Sequence, residues 1–245
     1  MPEPEPGRAS DLIQRASALN DFAEYAEAAE TSARAIELEP DNAIALTVRA
    51  WALENLGGHH VEEARSIYQT AIALDATAPW PRTALADLLY RTGSRDEAQS
   101  LYGDVAADPA ESLADRPRCL EFRGWSLYRL GRLDEAIQTF QASMAGAPGQ
   151  ISVLFDLALS LLANGQPDEA STAYETAVEA VRAADTRRRR APLTVAVEDL
   201  EEAIEAHPEI AELPSTPAIR ELLRSELRAL GPPGSPPSGG VGGTI

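Results

Sequence analysis

From Ser10 to about Ala184, apolar side chains return at intervals of three and four, and no two-residue alternation is sustained, so the chain reads as one helix after another. In one stretch Leu120, Gly124 and Leu127 line a first helix that stops at Gly131. Asp134 and Glu135 then open a second, carrying Ala136, Phe140 and Met144. A short turn between them makes the pair antiparallel. The same order of residues recurs, with small residues at Ala16, Ala50, Ala86, Gly124 and Ala158, spaced by 34, 36, 38 and 34. A second small residue follows (Ala98, Ala136, Ala170), then a ring four positions on (Tyr102, Phe140, Tyr174) and in places a closing proline such as Pro148. Small residues let two helix backbones approach, and the ring fills the space beside them. The pattern predicts an all-α protein of stacked hairpins.

In this pattern of small, small, aromatic and terminal proline the hairpins resemble tetratricopeptide repeats. The resemblance implies a right-handed superhelical solenoid of about five helical hairpins, at 9–42, 43–78, 79–112, 117–150 and 151–184. The fourth and fifth copies match well. In the first, Ser32 stands where the ring belongs and the turn from Asn20 to Ala23 lacks glycine. Two extra residues in the Gly57-Gly58-His59-His60 turn and about four around Leu113 to Arg116 explain the longer spacings, and insertions in turns leave a stack intact. Residues 1–9, acidic and proline-rich, and 231–245, rich in glycine and proline, are expected to be disordered. The segment 185–230 is expected to form capping helices, one at Thr194 to Ala206 with Pro192 at its start and one at Pro217 to Leu230 capped by Thr216.

A net charge of −18 from 21 basic and 39 acidic residues disfavours nucleic acid and anionic membranes as partners. The acidic, proline-rich N-terminus and the lack of an apolar run of about 20 residues lead to the expectation of a cytoplasmic protein. Candidate chemistry is sparse. The acid pairs Glu62-Glu63, Asp96-Glu97, Asp134-Glu135 and Asp168-Glu169 recur at the starts of second helices, where they are expected to cap free amides and oppose the dipole. His59 and His60 are neighbours in a turn, a poor spacing for one metal, and His207 precedes Pro208 at a helix end. Cys119 is the single cysteine and has no histidine in its own repeat to act as base. There is no lysine, hence no phosphate-binding glycine-rich loop of the Lys-Ser/Thr kind. The expectation is a non-enzyme with no cofactor and no metal. The run Arg187 to Arg190 is read as pairing with Glu198, Glu201, Glu202, Glu205 or the fifth repeat; an acidic partner and nucleic acid are the alternatives.

On the first helices a second stripe stands apart from the packing stripe. It comprises Arg118, Glu121, Trp125 and Tyr128 in the fourth repeat, Trp80, Thr83, Asp87 and Tyr90 in the third, and Ile44, Thr47, Trp51 and Glu54 in the second. In the repeats this chain resembles, that face is the concave groove, and all three tryptophans fall on it, with Arg91 and Arg129 at its edge. Two readings stand: a partner-binding groove of Trp51, Glu54, Trp80, Asp87, Tyr90, Arg91, Arg118, Glu121, Trp125, Tyr128 and Arg129, or tryptophans packed inside the stack. The lysine-and-asparagine clamp with which some relatives hold carboxylate tails is missing. On the fifth repeat the face is Ser152, Phe155, Leu159 and Leu162, too apolar to stay wet, so the helices after Pro192 are expected to cover it. The function expected is a protein-protein adaptor or scaffold holding a partner peptide; the alternative is a homo-oligomer assembled through the C-terminal repeat.

Overall fold

The computed structural model describes residues 8–109, 117–147 and 149–231, and among them there are helices and turns but no strand. The lead at 1–7, the tail at 232–245 and the insertion at 110–116 lie outside the described residues. The chain divides into two compact units, one within 1–148 and one within 149–245. The first holds α1 (Ala9–Asp21), α2 (Tyr25–Leu38), α3 (Ala43–Leu56), α4 (His60–Leu74), α5 (Pro79–Arg91), α6 (Arg95–Ala106), α7 (Pro117–Arg129) and α8 (Leu133–Gly146). The second holds α9 (Ile151–Ala163), α10 (Pro167–Ala183), α11 (Arg190–Ala206) and α12 (Thr216–Ala229), with short 3-10 turns at Thr186–Arg188 and Pro208–Glu212. No helix of the described residues is long and apolar enough to cross a membrane.

Each pair α1–α2, α3–α4, α5–α6 and α7–α8 packs as a hairpin, and the first helices α1, α3, α5 and α7 lie in sequence beside one another. Close approach is what the small residues supply. A Cβ built on Gly124 would stand 2.6 Å from the Phe140 ring, and Phe140 is fully buried. Tyr68 and Tyr102 fill the equivalent spaces in their hairpins. In the first hairpin Ser32 is also fully buried; its hydroxyl lies 2.7 Å from the Ala28 carbonyl and bonds back to its own helix in place of filling the gap with a ring.

The turns repeat as faithfully as the anchors. After α5 and α7 the chain reverses through Gly93 at φ 92° and Gly131 at φ 73°, with the amide of the next residue bonded five positions back: Ser94 to Leu89, Arg132 to Leu127. The first turn has the same bonds, Ala23 to Asn20 and Glu24 to Leu19, but places Ala23 at φ 58°. A left-handed alanine costs on the order of 1 kcal/mol relative to glycine.

Two expectations about helix starts are corrected. The acid pairs lie inside the first turns of α4, α6, α8 and α10, and the starts of these helices show no side-chain cap hydrogen bond. Their charge opposes the dipole instead, and three of them pair with arginine: Glu63 with Arg49, Glu97 with Arg65, Glu135 with Arg132. Thr216 likewise does not cap α12. It is buried and its hydroxyl donates to the Ile210 carbonyl at 2.6 Å, tying the helix start to the preceding 3-10 turn.

In the second unit α11 packs against α9, while α12 packs against α10 and α11. Phe155, Leu159 and Leu162 are buried there. Glu201 receives Arg220 at 2.6 Å and Arg224 at 2.9 Å, so one of the acids expected to face the arginine run is taken by α12. Within that run Arg189 donates to the Ala184 carbonyl at 3.0 Å and Arg190 to that of Gly231, fastening the two ends of this segment.

Three substitutions separate these terms. Gly124→Ala is expected to lower unfolding free energy by roughly 1–2 kcal/mol, overpacking exceeding the gain in helix propensity. Gly103→Ala in α6, where a Cβ would meet nothing within 4 Å, raises it by about 0.5–1 kcal/mol, and Ala23→Gly does so by a similar amount. Urea unfolding followed by circular dichroism measures all three.

Candidate interaction face

The face to be judged is built by α3, α5 and α7, all within the first unit. The rings of Trp51, Trp80 and Tyr90 are half-buried and pack against a core cluster that includes Leu53, Leu85, Leu89 and Tyr102. Trp80 stacks on Phe122 with ring centres 6.1 Å apart and planes 9° from parallel, and Trp125 stacks on Tyr128 at 5.1 Å. Since Trp80 and Phe122 meet near the starts of α5 and α7, while Tyr90 meets Arg129 at their ends, these two helices run parallel. All three tryptophans are thus partly buried in the stack and partly open to solvent.

The polar residues of the face do something the sequence pattern did not indicate. Glu54 in α3 is buried, its side chain 4% exposed. Its carboxylate accepts the Tyr68 hydroxyl at 2.7 Å and pairs with Arg91, which reaches back from the end of α5. One repeat later Asp87 in α5 accepts the Tyr102 hydroxyl and the Trp125 indole N–H, the latter at 2.9 Å, and faces Arg129 at 3.9 Å from the end of α7. The Arg129 guanidinium also lies over the Tyr90 ring, 3.9 Å from its centre, and donates to the Tyr102 oxygen at 3.3 Å. Arg91 and Arg129 are separated by the same interval as the anchors Ala86 and Gly124. Each closes a clasp from one repeat onto the acid of the repeat before it.

Burial and the Asp87 charge both raise the Tyr68 and Tyr102 hydroxyls above the ordinary phenol value, so both remain protonated donors at any working pH. Part of the face remains accessible to solvent. Arg91 is half exposed, Arg118 is exposed at the start of α7, and Glu121, Trp125 and Tyr128 are intermediate. Arg95, on no earlier expectation, joins them from the start of α6, its guanidinium 5.3 Å from the Tyr90 ring centre. A signal for the clasps did exist in the sequence. Tyr68 and Tyr102 occupy filling positions where Phe140 suffices elsewhere, and a buried tyrosine needs a polar partner on the facing helix. Among the described residues no group of three or more His, Cys, Asp or Glu is placed to hold a metal ion.

Asp87→Ala is expected to cost about 2–3 kcal/mol, because it removes the acceptor of the part-buried Trp125 indole N–H and of the Tyr102 hydroxyl together with the carboxylate facing Arg129. Arg15→Ala, which breaks an exposed pair with Glu27, costs under about 1 kcal/mol. The phenols add a pH signature. Their folded values exceed the unfolded one, so their contribution is complete below about pH 10 and is lost as pH rises beyond it. Melting temperature measured from pH 7 to 11 is expected to decline above 10, less steeply in Tyr102→Phe.

Comparison with known proteins follows from this geometry. A family model described as tetratricopeptide repeat matches residues 13–79 and 83–151, and a second model of the same description matches 127–189. No curated protein matches the sequence. Among solved structures, PilW, a widely conserved type IV pilus biogenesis factor, aligns with a TM-score of 0.51 at 17% identity, covering 90% of this chain and 96% of its own. PilF of Pseudomonas aeruginosa aligns at 0.47 and 17%, covering 89% and 97%. MamA of Desulfovibrio magneticus RS-1 aligns at 0.42 and 16%, covering 73% and 98%. At such identities the likeness is one of fold.

Proposed function

The chain belongs to the tetratricopeptide repeat family, and on that premise we propose that it is a non-catalytic adaptor holding a segment of a partner protein across α3, α5 and α7. The observation that carries this reading is the pair of clasps. Asp87 and Arg129 hold the rings of Trp125 and Tyr90, and Glu54 with Arg91 ties α3 to α5, before any partner arrives. A surface whose aromatic side chains are already held loses less conformational entropy on binding, and Trp, Tyr and Arg are the residue types that dominate interface energetics.

The roles within the predicted groove divide accordingly. Glu54, Asp87 and Arg129 hold the face together from within. Trp51, Trp80, Tyr90, Trp125 and Tyr128 offer ring surface, and Arg91, Arg118 and Glu121 offer charge at its margin. The self-assembly alternative draws no support from the fifth repeat, whose apolar residues are buried.

Trp125→Ala would confound a test, since the indole also serves Asp87. Ile44→Asp changes the face at a residue 59% exposed, and Tyr128→Ala removes a ring at its edge. Both variants are expected to stay folded by circular dichroism and to retain at least tenfold less of one specific partner in affinity capture with mass spectrometry. A complete partner set held by both folded variants would refute the reading.

A further inference from the structure

Two guanidiniums at opposite ends of this face lack a carboxylate. Most arginines of the first unit end on one: Arg15 on Glu27, Arg49 on Glu63, Arg65 on Glu97, Arg82 on Asp108. Arg95 and Arg118 form no ion pair among the described residues, in a chain where acids outnumber bases 39 to 21. Arg95 is exposed at the start of α6 and meets the ring of Tyr90. Arg118 is exposed in the first turn of α7, one turn before Phe122, whose ring stacks on Trp80. Between the two ends runs α5, whose 13 residues span about 20 Å. An extended peptide covers that distance in about six residues.

We infer that the segment held on this face is acidic, with a carboxylate at each end of about six residues and apolar or aromatic side chains between them. The inference rests on the adaptor reading above and adds the chemistry of the occupant. Charge complementarity selects it. A basic segment finds carboxylates over most of a surface carrying a net charge of −18, so it gains little from this place over others. An acidic segment is repelled by most of that surface and is matched where guanidiniums stand without partners. Here two of them bracket a row of half-exposed rings. Arg91, half exposed even while paired with Glu54, adds to the positive character of the Arg95 end.

The test is selection of random twelve-residue peptides displayed on phage against the full chain, followed by fluorescence anisotropy on a labelled synthetic copy of the most enriched peptide. Enriched peptides are expected to carry Asp or Glu at two positions about six apart. Arg95→Glu and Arg118→Glu, both at exposed sites, each weaken binding tenfold or more, while Arg34→Glu, at an exposed site on α2, changes it less than twofold. Neutral or basic selected peptides, or unchanged affinity in both charge-reversal variants, would overturn the inference. If such peptides still lose binding in Ile44→Asp and Tyr128→Ala, the adaptor face stands and only the acidic occupant fails. If no selected peptide responds to those two substitutions, both readings fail.

Discussion

Two helices of a hairpin can share a core only if their backbones come close, and the contact between Gly124 and Phe140 shows how tightly that condition is met. There is no room for a single methyl group at Gly124 unless the ring moves. The stack follows from this contact. Once a small residue on one helix receives a ring from the other, the hairpin has a fixed width, and the next first helix can lie against it at a regular interval. Insertions collect in the turns, as at Gly57 and Gly58, because only there can length change without altering that width.

The filling ring brings a second condition with it. Where it is tyrosine, its hydroxyl is carried into a dry interior and must find an acceptor, since an unsatisfied buried group costs about 1–3 kcal/mol. Glu54 and Asp87 provide that acceptor, but each introduces a charge, which needs an arginine in turn. The arginine comes from the neighbouring repeat. A packing requirement inside one hairpin is thereby converted into a polar bond between hairpins, which orients the next first helix more strictly than apolar contact does. The fourth hairpin, with Phe140, has no such hydroxyl to satisfy.

The solvent-facing part of α3, α5 and α7 is shaped by the same arrangement. The rings of Trp125 and Tyr90 are held by Asp87 and Arg129 and remain partly open to solvent. The guanidiniums of Arg95 and Arg118 form no ion pair among the described residues, and their position at the two ends of α5 gives the face a polarity that the rings alone lack.

The hairpins, their order and the family were legible in the chain because helical packing depends on residue size and local spacing. Ala86 with Ala98 and Tyr102, or Gly124 with Ala136 and Phe140, carry that information within some 16 residues. The placement of all three tryptophans on the first helices was equally readable from periodicity. What the acids and arginines of that face do was not. Glu54 and Arg91 lie 37 positions apart, Trp125 and Asp87 lie 38 apart, and whether such residues point to water or to each other depends on how two hairpins rotate against one another. That rotation is set by summed contacts between non-adjacent helices. Tertiary structure alone therefore decided that Glu54, Asp87 and Arg129 hold the face together from within.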